Sequence, residues 1–140
     1  MLNVEEFEKL VIQEKKLAAL CFTASWCAPS QNQINTLEEI RSEYEKKNFL
    51  IEVIDIEQSQ ELAKLLKINN FPTTLFFAEG ELKEQNCLYG YQDKTMLIDG
   101  FECTLWEIEN KSSANKYIWW IIGFLALFAI IMIYYTSYAN

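Results

Sequence analysis

Apolar residues recur along the first hundred positions in blocks whose period alternates between that of a helix and that of a strand. Val4, Phe7, Leu10 and Val11 share one helical face. Asn3 stands where a cap is needed, and Glu6, three residues on, completes a capping box. Lys15 and Lys16 are predicted to close this helix, at the end where the helix dipole favours cations. Residues 17–22 form a nearly continuous apolar run, which predicts a strand covered on both faces. Residues 31–46 then predict a long helix with Ile34, Leu37, Ile40 and Tyr44 inward, and Glu38, Glu39, Arg41 and Glu43 outward. A second strand is predicted over 49–56. A short helix over 60–66 follows, with Leu62, Leu65 and Leu66 facing the core.

Asn69, Asn70, Phe71 and Pro72 break the pattern ahead of a third strand at 73–78. Glu79-Gly80 reads as a turn, and 82–89 returns as a fourth strand to make a hairpin. Gly90 ends it. Asp93 is placed to cap a last helix in which Leu97, Phe101 and Leu105 align, with Ile98 and Trp106 alongside. Gly100 inside that helix weakens its intrinsic propensity. The predicted architecture is an α/β domain over residues 1–110, a mixed four-stranded sheet with helices on both faces. Its βαβ units imply parallel neighbours and its hairpin an antiparallel pair. A polar linker at 111–116 separates this domain from an apolar segment.

That segment, 117–135, carries no charge. At ~1.5 Å per residue it reaches roughly 28 Å, close to the ~30 Å hydrocarbon core of a bilayer. Tyr117, Trp119 and Trp120 mark one end, and Tyr134, Tyr135 and Tyr138 the other, as an interfacial belt requires. The segment is read as a single transmembrane anchor followed by a short tail, 136–140. The acidic start at Glu5 and Glu6 does not resemble a secretory signal, and Arg41 as the sole arginine argues against a transit peptide. Lys111 and Lys116 lie just before the span, so the positive-inside bias keeps the domain on the side of insertion. Organellar, endomembrane and bacterial membranes, the mitochondrial inner membrane among them, are all compatible.

Composition removes several function classes. The net charge of −8 disfavours nucleic acid and anionic lipid surfaces as partners. Histidine is absent, which removes the usual general base and the commonest metal ligand. Cys21, Cys27, Cys87 and Cys103 lack metal-ligand spacing, and no disulfide framework is expected. No metal and no cofactor are anticipated.

The remaining chemistry lies at Ser25-Trp26-Cys27-Ala28-Pro29-Ser30, between the first strand and the long helix. A cysteine there faces unpaired N–H groups and the positive end of the helix dipole, both of which favour the thiolate. Proline fits the helix start because its missing N–H has no partner to lose. Cys21, inside a strand, reads as a small core residue, and Cys87 and Cys103 as core or surface fillers.

Together Trp26-Cys27-Ala28-Pro29-Ser30, the distant Phe71-Pro72-Thr73, the Glu79-Gly80-Glu81 turn and Gly90 resemble the thioredoxin family over about residues 3–109. The resemblance implies a thioredoxin-like fold in which Pro72 is cis and faces Cys27, and in which Trp26, Pro29, Phe71 and Pro72 meet client peptides. It lacks the family's usual N-terminal strand. It also implies three departures in the redox equipment. Ser30 replaces the resolving cysteine of Cys-x-x-Cys, Cys21 the buried acid, and Val53 its lysine partner. Cys27 is therefore a candidate thiol without a resolving partner. The expected role is an accessory or structural subunit of a membrane protein complex, with a redox-degenerate site. The alternative is a monothiol disulfide oxidoreductase or isomerase, or a module that retains client thiols, using Cys27. Whether the protein is an enzyme stays open between them.

Overall fold

Strand β1 (Leu17–Thr23) forms the middle of the sheet, and residues 18–23 are all buried. In this computed structural model residues 2–138 are described, apart from the side chains of 112, 115, 136 and 138. The Tyr138 ring and the last two residues of the expected tail thus lie outside the described residues. Strand β2 (Phe49–Asp55) pairs with β1 in parallel, Leu17 opposite Phe49 and Cys21 opposite Val53. Strand β3 (Thr73–Ala78) pairs with β1 on its other side, antiparallel. The helix between β1 and β2, α2 (Ala28–Lys46), makes the expected parallel crossover. The connection through α3 (Gln60–Leu65) does not: it returns the chain antiparallel, so only one of the two predicted βαβ units is parallel.

The predicted fourth strand is split. β4 (Glu81–Leu82) and β5 (Leu88–Tyr89) both pair with β3, separated by a 3-10 turn, Glu84–Asn86. From Leu82 to Leu88 the outer chain advances six residues while β3 advances three, Phe77 to Thr74. The surplus leaves the ladder as the turn. Asn86 is thereby buried, and its amide donates to Thr104 Oγ1 at 3.1 Å.

The first helix bears its capping box: Asn3 Oδ1 accepts from the Glu6 amide, and Glu6 Oε2 from the Asn3 amide. After α1 (Val4–Phe7) the helix widens to a π form, Glu8–Gln13. It stops before the two lysines expected to close it, because Lys15 turns left-handed with φ 55°. Gly80 (φ 82°) lies against this stop, where a Cβ would meet the Ile12 carbonyl oxygen at 2.8 Å.

Two cores flank the sheet. Phe7, Val11, Leu20, Phe22, Ile54, Leu62 and Phe77 fill the face under α1 and α3. Leu37, Ile40, Tyr44, Phe49, Phe76, Leu97 and Phe101 fill the other. Phe101 stacks on Tyr44 at 4.1 Å and meets Phe76 edge-on at 5.0 Å. Gly100 has a packing reason to be in the helix: a Cβ there would sit 2.8 Å from the Phe76 ring. The buried stripe of α2 is Ser30, Gln33, Leu37, Ile40 and Tyr44, so Gln33 occupies the inward place expected for Ile34. Trp106, expected to pack alongside Leu105, is exposed.

The chain divides into two compact units, the first ending at Leu105 and the second beginning at Trp106. Helix α4 (Lys94–Tyr138) begins in the first unit, and in the second it runs through residues 111–116, expected as a linker. No glycine or proline interrupts it there to stop a helix. Every side chain from Tyr117 to Tyr135 is exposed, and the helix is long and apolar enough to cross a membrane.

Candidate functional site

Two loops meet at the ends of β1 and β3. The first follows Thr23. Its backbone turns at Ala24, whose carbonyl accepts the Cys27 amide at 3.1 Å. Cys27 then serves as the N-cap residue of α2, with extended backbone (φ −100°, ψ 109°) and its carbonyl accepting the amides of Ser30 and Gln31. Its thiol makes no capping bond and is half-buried. Pro29 lies in the first turn, where its missing N–H leaves nothing unsatisfied.

Ser30, one turn further, is fully buried. Its Oγ accepts the Ala24 amide at 3.3 Å, tying the head of the helix back to the end of the strand. Ser25 donates its hydroxyl to Glu57 Oε2 at 3.1 Å, which fixes the same loop to the segment after β2.

The second loop contains the cis bond Phe71-Pro72, as the resemblance implied. The Phe71 ring meets Trp26 edge-on, centroids 6.3 Å apart, and Trp26 is otherwise 68% exposed. The Pro72 carbonyl accepts the Gly90 amide at 2.8 Å. Trp26, Phe71 and Pro72 are thus brought to one end of the sheet beside the thiol loop.

Beneath the loop, Cys21 is buried between Val53 on β2 and Thr74 on β3, its cross-strand neighbours. Burial pushes its thiol up to about 11, against a smaller opposing effect of the Thr74 hydroxyl. It is held as a neutral core group. Cys87 is half-buried with Sγ 3.3 Å from the Lys83 carbonyl, and burial raises its pKa as well; Cys103 is exposed. All four cysteines are free thiols. Among the described residues no three metal-ligating side chains cluster.

Sequence reasoning missed Gln33. Its Oε1 accepts the Gln92 amide at 2.7 Å, joining α2 to the loop after β5, while its buried Nε2 has no partner among the described residues. The available signal was a polar residue on the inward stripe four positions before Leu37.

The thioredoxin family profile matches residues 1–102. The chain belongs to the thioredoxin family. Among curated relatives, thioredoxin from Mycoplasmoides gallisepticum is 28% identical over 83 residues, covering 59% of this chain and 80% of the relative. Thioredoxin from Buchnera aphidicola is 32% identical over 81 residues, 58% of this chain and 74% of the relative. The thioredoxin-like protein CXXS1 of Arabidopsis thaliana is 31% identical over 80 residues, 57% and 66%. Fasciola hepatica thioredoxin superposes with a TM-score of 0.64 at 23% identity, covering 73% of this chain and 94% of that structure. In this thioredoxin-fold chain the four residues from Cys27 to Ser30 begin with a half-buried thiol and end with a buried, hydrogen-bonded hydroxyl.

Proposed function

We propose that this thioredoxin-family chain is a membrane-anchored accessory or structural subunit of a membrane protein complex, whose site has lost the dithiol cycle. The observation that carries this reading is Ser30: its oxygen is buried and bonded to the Ala24 amide. A hydroxyl there cannot displace sulfur, and its hydrogen bond gives it a structural task instead. Cys21 and Val53, at the positions of the family's buried acid and its lysine partner, add no group for proton transfer at neutral pH. Residues 117–135 supply the anchor. Lys111 and Lys116 support an orientation with the domain on the side of insertion, and the exposed Trp26 with the half-buried Phe71 supports a face for a protein partner, whereas Pro72, expected to meet clients, is buried. The test is assembly: Cys27→Ser in native membranes should leave the size and abundance of the complex unchanged on a native gel. Loss of the complex would overturn the reading.

A second reading is favoured by the half-buried Cys27 and by the likeness to the protein named CXXS1. In it the Cys27 thiolate attacks a client disulfide, forming a Cys27–client bond while the other client sulfur leaves as a thiolate. An external thiolate must then attack the client sulfur of that bond, forming a disulfide with the client and expelling the Cys27 thiolate. The protein would act as a monothiol oxidoreductase or isomerase, or would retain clients.

A further inference from the structure

Strand β2 forms one edge of the sheet, with β1 on one side and no strand on the other among the described residues. The Ile56 amide donates to the Thr23 carbonyl at 3.0 Å, and Thr23 lies opposite Asp55. Backbone groups of successive residues in a strand point to opposite sides, so the even-numbered residues of β2 face β1 and the odd-numbered ones face away. Arg41 agrees with this direction, since its Nη1 donates to the Ile51 carbonyl at 2.7 Å from outside the sheet. The Asp55 carbonyl accepts the amides of Gln58 and Ser59. The amides of Phe49, Ile51, Val53 and Asp55, and the carbonyls of Phe49 and Val53, hold no partner among the described residues.

The two edges of the sheet differ. The far edge is broken into β4 and β5, two residues each, with the 3-10 turn between them. Strand β2 runs seven residues in continuous register with β1, without the proline, lysine or bulge that commonly guards an edge. Its one charged side chain before Asp55 is Glu52, half-buried on the face that also carries Leu50 and Ile54. Glu52 holds no cation among the described residues.

We infer that the outer edge of β2 takes up an extended segment of a partner protein as a further strand, with a lysine or arginine opposite Glu52 and aliphatic residues opposite Leu50 and Ile54. The open backbone groups select an extended chain, and Glu52 selects a basic one, because opposite charges directly across a ladder attract. The Ile51 carbonyl keeps a second lone pair beside Arg41. A second copy of the chain is disfavoured, because each copy carries a net charge of −8 and the two repel. The inference gives the partner of the accessory reading a chemistry, and rests on that reading for its biological setting.

The test is amide hydrogen exchange, read residue by residue, on the full chain in phosphatidylcholine nanodiscs at about 0.15 M salt, where distant charges are screened. The chain is titrated with doubly capped Ile-Thr-Lys-Thr-Ile and Ile-Thr-Glu-Thr-Ile, which present the same pattern in either strand direction. The lysine peptide should slow exchange at Ile51 and Val53 about tenfold and leave Leu50 and Glu52, already bonded to β1, unchanged. The glutamate peptide should bind about tenfold more weakly, an attractive cross-strand pair being replaced by a repulsive one. Glu52→Lys should reverse that preference, and the nearly isosteric Glu52→Gln should remove most of it. Slowing at odd and even positions alike, slowing confined to other elements, no binding, or a preference unchanged in both variants would each overturn the proposal. So would protection of Ile51 and Val53 that appears without peptide as the chain is concentrated, which would make a second copy the occupant. The titration uses neither Cys27 nor the complex. Its failure removes the edge alone, while loss of assembly in Cys27→Ser removes the accessory reading alone.

Discussion

Ser30 Oγ accepts the backbone N–H of Ala24 at 3.3 Å, so the residue that ends the Cys-x-x-Ser stretch fastens the helix to the strand that precedes it. Both groups are buried. Ser30→Ala leaves the Ala24 amide without its partner, and a buried donor left unmade costs about 1–3 kcal/mol. Urea unfolding of the detergent-solubilised chain should show that loss. Ser30→Cys should cost less, since sulfur remains a weak acceptor.

Gly100→Ala has two opposed effects. Alanine is favoured over glycine in a helix interior by about 1 kcal/mol. The new methyl, however, lies 2.8 Å from the Phe76 ring and 3.3 Å from Leu88 Cδ1, inside a packed core. Overpacking typically costs 1–3 kcal/mol, and Phe76 is pinned by Phe101. The expected result is a lower melting temperature for Gly100→Ala, read by circular dichroism.

Stability should fall in alkali through Cys21. Its pKa is raised on folding, from 9.0 to about 11, by burial. Above pH 9 the unfolded chain releases this proton and the folded chain does not, so the contribution is complete below pH 9 and is lost as pH rises towards 11. Two pKa units correspond to about 3 kcal/mol at most. Tyr44, also raised, chiefly by burial and by its bond to Glu102, adds a slope of the same sign. The comparison is therefore with Cys21→Ala, whose unfolding free energy should decline less steeply between pH 9 and 11.

Topology is testable in sealed native membranes. Protease added on the side of the domain should remove residues up to the anchor and leave a small protected fragment. Protection of the domain there, with digestion from the opposite side, would reverse the assignment drawn from Lys111 and Lys116.

Much of this fold is legible in the chain because periodicity and turn chemistry agree. The capping box at Asn3 and Glu6, the run into β1, and the Pro72 break before β3 each declare themselves locally. What escapes is set by distant partners. The split of the fourth strand depends on Asn86 reaching Thr104 on α4, and the polarity of β3 on pairing with β1, from Phe22 opposite Thr73 to Ala18 opposite Phe77. At the site, Cys27, Trp26 and Pro72 are visible as motif residues. The duty of Ser30 is not, since its acceptor role exists only once the loop closes on Ala24. Gln33 looks like a solvent-facing polar residue until Gln92 is brought to it from 59 positions away.

The proposed accessory role requires that this thioredoxin-family chain act without thiol exchange. It is tested most directly by counting the mixed disulfides that Cys27 forms in native membranes, after acid quenching and alkylation, against a Cys27→Ser control. The expected result is the same sparse adducts in both. Abundant adducts that vanish with Cys27→Ser would contradict it and establish Cys27 as a working monothiol.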